Sequence, residues 1–246
     1  MLFLWIISVT FTADNIENKL NMETKLQISE VFTTSWKAVK SQIWVLVGLF
    51  VGYTILSMII SSFTTPPTPA NPYNMQWGRF GIAYLISLII GGLFMLGYLK
   101  NLFQTLDGIE PQFSAYGQQA RKIVTYILTA LLYGIIVAVG LIFFIIPGIY
   151  FAIRLQFAPA FIVEENTGVI DSLKMSWNIT KGNIGQLFLL WLAMMGICLV
   201  GFIVLIIGIF VAVPVIYMMY CYTFRKLYPN PLALPNEEAG TSTYAQ

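Results

Sequence analysis

The chain has 246 residues, of which 58% are apolar and only 10% charged, with a net charge of +2 and no histidine. A soluble domain carries about 25% charged residues, so a water-facing surface cannot be built from this composition and lipid must be the main solvent. The missing histidines remove the commonest general base and metal ligand, and Cys198 and Cys221 form no CxxC pair, so neither a cofactor nor a metal nor a disulfide framework is expected.

Residues 1–21 open with a short apolar run, MLFLWIISVTF, and then turn polar. That run is below the roughly 20 residues a span requires. Residues 1–27 therefore read as an N-terminal extension, with Met22 as an alternative start. A single membrane domain is expected over 28–226, with a polar tail over 227–246. Residues 28–43 place Ile28, Val31, Phe32, Trp36, Val39 and Ile43 on one helical face, an amphipathic pattern. The first span follows over about 43–60, with Gly48 and Gly52 at GxxxG spacing, which lets helices approach closely. A proline-rich loop with Tyr73, Trp77 and Arg79 leads to a second span over about 82–99.

Beyond Lys100 a turn around Asp107, Gly108 and Pro111 precedes a weaker amphipathic stretch carrying Phe113, Tyr116, Ala120 and Ile123. The third span covers about 123–146. Pro147-Gly148 is expected to turn the chain into a short fourth span, about 149–163, that contains Arg154 and Pro159. Glu164 and Glu165 then read as a solvated exit from the membrane. A third amphipathic helix follows, with Val169, Leu173, Trp177, Thr180 and Ile184 as its stripe. The apolar stretch after it is too long for one span. Folded at Ile207-Gly208, it gives spans over about 185–206 and 209–224, the last containing Pro214 and stopped by Arg225 and Lys226.

The first and third amphipathic helices share the pattern SWxxxKxxI, at Ser35–Ile43 and Ser176–Ile184. The expected fold is all-α: a polytopic helical membrane protein with six transmembrane helices in three hairpins, each preceded by a cytoplasmic interfacial amphipathic helix. Trp36, Lys40, Trp177 and Lys181 are its interfacial anchors, since Trp suits the boundary and Lys reaches the headgroups. With both termini on one side, all thirteen Lys and Arg but Arg79 and Arg154 share that side, which the positive-inside rule assigns to the cytoplasm. The sequon Asn178-Ile179-Thr180 then faces the cytoplasm and has no meaning as a glycosylation site.

Arg154 is the sharpest single residue. An Arg inside a span costs about 2.5–3.5 kcal/mol on insertion scales and so has a task or a partner. It is a candidate anion or lipid-phosphate site, or else a structural Arg capping the carbonyls of a broken helix. Glu164, ten residues on, lies roughly 15 Å along a helix, too far to pair with it directly. No nucleophile–base set is present and no acid lies within a span.

Pro147 to Asn183 carries P-G-I-Y-x-A-x-R, then F-A-P-A, an acidic turn and S-W-x-x-T-K-G-N. On these residues the chain resembles a bacterial integral-membrane family, the membrane domain that precedes some glycerophosphodiester phosphodiesterases, and related uncharacterised multi-span proteins. The resemblance implies a fold and a setting in the bacterial inner membrane, with both termini cytoplasmic. It implies no activity here, because the catalytic barrel of those enzymes follows the membrane domain and only some 20 residues follow the last span. The expected function is a membrane scaffold or accessory subunit without catalytic activity of its own. Its partners would be membrane lipids and a protein partner or second copy, not nucleic acid. The alternative is a small transporter or lipid-handling protein using Arg154.

Overall fold

A computed structural model describes residues 26–64, 77–203 and 207–229. The described residues form helices and no strand: α1 (Ile28–Ser41), α2 (Ile43–Thr64), α3 (Trp77–Leu106), α4 (Ser114–Gln119), a 3-10 turn (Ala120–Lys122), α5 (Ile123–Phe143), α6 (Ile145–Leu155), α7 (Ala158–Glu165), α8 (Val169–Ile179), α9 (Ile184–Ile203) and α10 (Ile207–Leu227). Six segments among them are long and apolar enough to cross a membrane: Ile43–Ser62, Tyr84–Leu106, Ser114–Phe143, Ile145–Glu165, Ile184–Ile203 and Gly208–Leu227. Residues 1–25 of the expected extension, 65–76 of the proline-rich loop and the tail beyond 229 lie outside the described residues, as do the side chains of Trp77 and Arg79, whose backbone is helical in α3 and not part of a loop.

Burial separates the spans into two sets. In the outgoing segments, those of α2, α5 and α9, the most apolar window has 6, 11 and 17% of its residues buried. In the returning segments, those of α3, α6–α7 and α10, the shares are 39, 50 and 44%. The returning arms therefore make the core. Leu99 and Phe103 of α3, Phe157 and Phe161 at α7, and Met218 and Phe224 of α10 are all fully buried. Phe224 is the hinge of this cluster, meeting Phe161 edge to face at 4.9 Å and Phe103 at 5.6 Å. Aromatic pairs of this geometry add about 1 kcal/mol each beyond their burial.

The short helices close the arrangement in a cycle. Each packs on the returning arm before it: α4 on α3, and α8 on α6 and α7. Helix α1 packs on the last arm, α10. Val31, Ser35 and Val39 form its buried side, while Phe32 and Trp36 from the same apolar stripe stay about 40% exposed. Glu30 in its first turn and Lys40 in its last complement the helix dipole.

Two expected turns fall elsewhere. The chain reverses between α5 and α6 at Phe144, in extended conformation, whereas Pro147 and Gly148 lie inside the first turn of α6. A proline is tolerated there, because a first-turn N–H has no intrahelical acceptor. Gly148 instead permits the two arms to cross closely. A Cβ on the facing Gly140 would lie 2.9 Å from the Gly148 Cα. Residues 207 and 208 are likewise already helical in α10, and 204–206 lie outside the described residues. Gly108, at φ +74°, ends α3 as a left-handed cap, with Ile109 N–H donating to the Gln104 carbonyl at 2.8 Å.

Candidate functional site

The expected fourth span is two helices, α6 and α7, broken at Gln156–Phe157. Pro159 causes the break, since it has no N–H for the Leu155 carbonyl one turn earlier. Groups freed by the break are caught by α8. The Ser176 hydroxyl accepts from Phe157 N–H at 3.0 Å and donates to the Arg154 carbonyl at 2.9 Å, and the Thr180 hydroxyl reaches the same carbonyl at 3.2 Å. Ser176 and Thr180 are fully buried. Tyr220 of α10 donates to the Gln156 carbonyl at 2.9 Å. In lipid such backbone groups must be satisfied internally, and here α8 and α10 share the task.

Arg154 sits at this break and is 3% exposed. Its guanidinium lies 4.0 Å from the centre of the Trp177 ring and 5.8 Å from that of Tyr150. Its Nε and Nη1 are buried and find no hydrogen-bond acceptor among the described residues. The side chain is thus held by aromatic faces, with no hydrogen bond from it to a helix carbonyl among the described residues. Instead its own carbonyl is the capped group. Trp177 is half-buried beneath this cation, an engagement its reading as a boundary anchor did not include, while Trp36 is 39% exposed and Lys40 and Lys181 are exposed. The four anchors are not brought together.

A second centre lies where the returning arms end. Glu164 is not a solvated exit. Its side chain is 10% exposed and accepts from Lys100 at 3.1 Å and from Arg225. Arg225 also pairs with Asp107 at 3.1 Å and lies over the Phe103 ring. Lys122 donates to the Val163 carbonyl at 2.9 Å, one residue before Glu164. Burial pushes the Asp107 carboxyl above its usual range, against the opposing pull of Arg225. Each returning arm therefore contributes one charge to a shared knot: Lys100 from α3, Glu164 from α7 and Arg225 from α10. The signal available in the sequence was that each of these residues closes an apolar run at the same end.

At the rim, Glu30 of α1 accepts from Lys226 at 2.6 Å and from the Tyr222 hydroxyl at 2.9 Å. These hydrogen bonds, Lys226 first, hold its carboxyl below the usual range. The Leu26 N–H donates to the side chain of Gln186 in α9 at 3.0 Å, a further tie at the start of α1.

A bundle of six apolar helices whose charges knot at one end defines a polytopic helical membrane protein. The chain belongs to UPF0259, an uncharacterised protein family, whose model matches residues 77–227. It is similar to an uncharacterised protein of Mycobacterium tuberculosis, 34% identical over 160 residues, covering 65% of this chain and 47% of that one. It is also similar to UPF0259 membrane proteins of Photorhabdus laumondii, at 29% identity over 46% of each chain, and of Wigglesworthia glossinidia brevipalpis, at 26% identity over 62% of this chain and 67% of that one. The chain spans about half the length of the first two of these relatives. No solved structure matches it. These comparisons place it in an uncharacterised multi-span membrane family and provide no link to the glycerophosphodiester phosphodiesterases.

Proposed function

We propose that this protein is a membrane scaffold or accessory subunit without catalysis of its own, set in the bacterial inner membrane with its charged end in the cytoplasm. The observation that carries the reading is the knot of Lys100, Glu164 and Arg225. Charges in a transport path face a cavity, whereas these neutralise one another where the three core arms meet. The resulting body is apolar outside and tied at one end, which suits lateral contact with lipid and with another membrane protein. The resemblance to phosphodiesterase membrane domains supports the same reading, because there too a membrane domain accompanies chemistry done elsewhere. Purification of the full chain in mild detergent, followed by mass spectrometry, tests it. A stoichiometric protein partner is the expected result. Solute uptake or lipid hydrolysis by the chain alone in vesicles would overturn it.

One observation favours a second reading, a small transporter or lipid-handling protein with an anion site at Arg154. The Nε and Nη1 of that residue are buried without an acceptor. On this reading Arg154→Ala abolishes retention of an anionic lipid. Unchanged retention removes the reading.

A further inference from the structure

The first hairpin joins the core along one side and is open along another. Between α2, α3 and α4 lies a groove of about 580 Å³, against about 290 and 120 Å³ for the cavities on either side of Gln156. Its lining is apolar and aromatic, including Gly48, Gly52, Leu56, Leu93, Phe94 and Tyr116. A Cβ on Gly48 or Gly52 would meet nothing within 4 Å. The GxxxG pair is therefore not used to pack any helix among the described residues. Trp44 and Phe113 line the groove yet remain 89 and 80% exposed. Both lie at the charged end, Trp44 in the first turn of α2 and Phe113 just before α4.

The walls are built rather than collapsed. Tyr53 stacks on Phe94 at 4.0 Å, Phe94 on Tyr98 at 5.2 Å and on Tyr116 at 5.9 Å. Tyr116 in turn occupies the space over Gly97 that any Cβ would fill. This row holds the floor in place while the glycines keep the opposite wall flat.

We propose that the groove holds one acyl chain of an anionic phospholipid, with the headgroup at the Trp44–Phe113 end. Size favours an acyl chain over a helix. A helix with its side chains is about 10–12 Å across, too wide for this volume over four turns of lining. A methylene takes up about as much space as a water, roughly 30 Å³, so the groove accepts an acyl chain of ordinary length. Charge favours an anionic headgroup. Lys37 and Lys40 of α1 and Arg121 before α5 are exposed at this end, against Glu110. Aromatic side chains at the mouth suit the level of the glycerol and headgroups. The inference rests on the reading above that lipid is an immediate partner, and is independent of the scaffold role.

The test is native mass spectrometry of the full chain after delipidation and exposure to palmitoyl-oleoyl phosphatidylglycerol. The open space at both glycines lets Gly48→Leu/Gly52→Leu fold with its groove filled, which an unchanged melting temperature verifies. The expected result is one phosphatidylglycerol retained per chain, with retention falling about tenfold in the double variant, as when roughly two methylenes lose their cavity. Lys37→Gln/Lys40→Gln, which leaves the groove open, should weaken retention of phosphatidylglycerol and spare phosphatidylcholine. Equal retention by native chain and glycine variant overturns the proposal. So does a native dimer that the glycine variant converts to monomer with no change in lipid, which would make the groove a seam between copies. Co-purification of a protein partner, scored in the same samples, reports on the scaffold reading separately.

Discussion

The Arg154 guanidinium lies 4.0 Å from the centre of the Trp177 ring, so the most buried cation of the spans is covered by an aromatic face. A desolvated cation–π contact contributes about 2 kcal/mol. The two residues should respond unequally to substitution. Trp177→Ala leaves a buried charge without its cover and should destabilise by about 3 kcal/mol. Arg154→Met keeps the packing volume and removes the charge together with its unmet donors, so it should stay within about 1.5 kcal/mol of the native chain. Unfolding in mixed detergent micelles measures both. An Arg154→Met variant that loses more stability than Trp177→Ala would show that Arg154 has a partner beyond the aromatic rings.

Glu164 should be the most sensitive acid in the chain. Glu164→Gln leaves Lys100 without its counter-ion and Arg225 with Asp107 alone, and removing one member of a buried ion pair costs about 3 kcal/mol or more. Adding Lys100→Met to that variant removes one of the two cations and should recover part of the loss. Glu165→Gln, next in sequence and outside the knot, should change stability by no more than about 0.5 kcal/mol. A double-mutant cycle over Glu164 and Lys100 reads the coupling directly. A coupling of zero would mean that the knot contributes nothing to holding the three arms together.

The contrast between Glu164 and the helices themselves shows which parts of this molecule are written locally. An apolar run long enough to span declares itself within 20 residues, and the amphipathic stripe of α1 within 14. The cause of the break in the fourth span, Pro159, was visible too, although one continuous span was expected there. The repair of the break was not, because Ser176 and Thr180 come from α8 and reach Arg154 only once α8 folds back. Glu164 misled for the same reason. Adjacent acids after an apolar run look like a return to water, and only the convergence of α3 and α10 supplies Lys100 and Arg225. Pro147-Gly148 misled differently. The pair is a common turn signal, yet proline suits the first turn of a helix equally well, and Gly148 was selected by a helix crossing that no local pattern encodes.

Glycines should divide into two groups on substitution. A methyl on Gly140 would sit 2.9 Å from both the Gly148 Cα and the Phe151 ring, and one on Gly201 would sit 2.8 Å from the Ala212 Cβ and 3.0 Å from the Gly208 carbonyl oxygen. Both crossings involve backbone that must shift, so Gly140→Ala and Gly201→Ala should each cost about 1–3 kcal/mol. Gly48→Ala and Gly52→Ala meet open space and should be neutral, or stabilising by up to about 1 kcal/mol through helix propensity. Melting temperatures of the four variants in one detergent settle the order. A destabilised Gly48→Ala would require a neighbour beyond the described residues.

The attachment of α1 should depend on pH through Glu30. Its carboxyl titrates below the usual range because Lys226 and Tyr222 bind the ionised form. A depressed folded-state value means that the contribution is complete above the pH at which an unfolded-chain glutamate titrates. It is lost as the pH falls through the depressed value, where the folded form too takes up the proton. Asp107, raised by burial, works in the opposite direction. Its ionised form is disfavoured in the folded chain, so acidification relieves that site across the interval between its unfolded and folded values. Acid should therefore loosen α1 while it relieves the site at Asp107. Spin labels at Thr33 and Pro229 in a Cys198→Ser background report the distance between α1 and the end of α10. The expected distribution is narrow at neutral pH and broad at acid pH, and Glu30→Gln should show the broad form at every pH. A Glu30→Gln chain that keeps the narrow distribution would assign the docking of α1 to Val31 and Val39 alone.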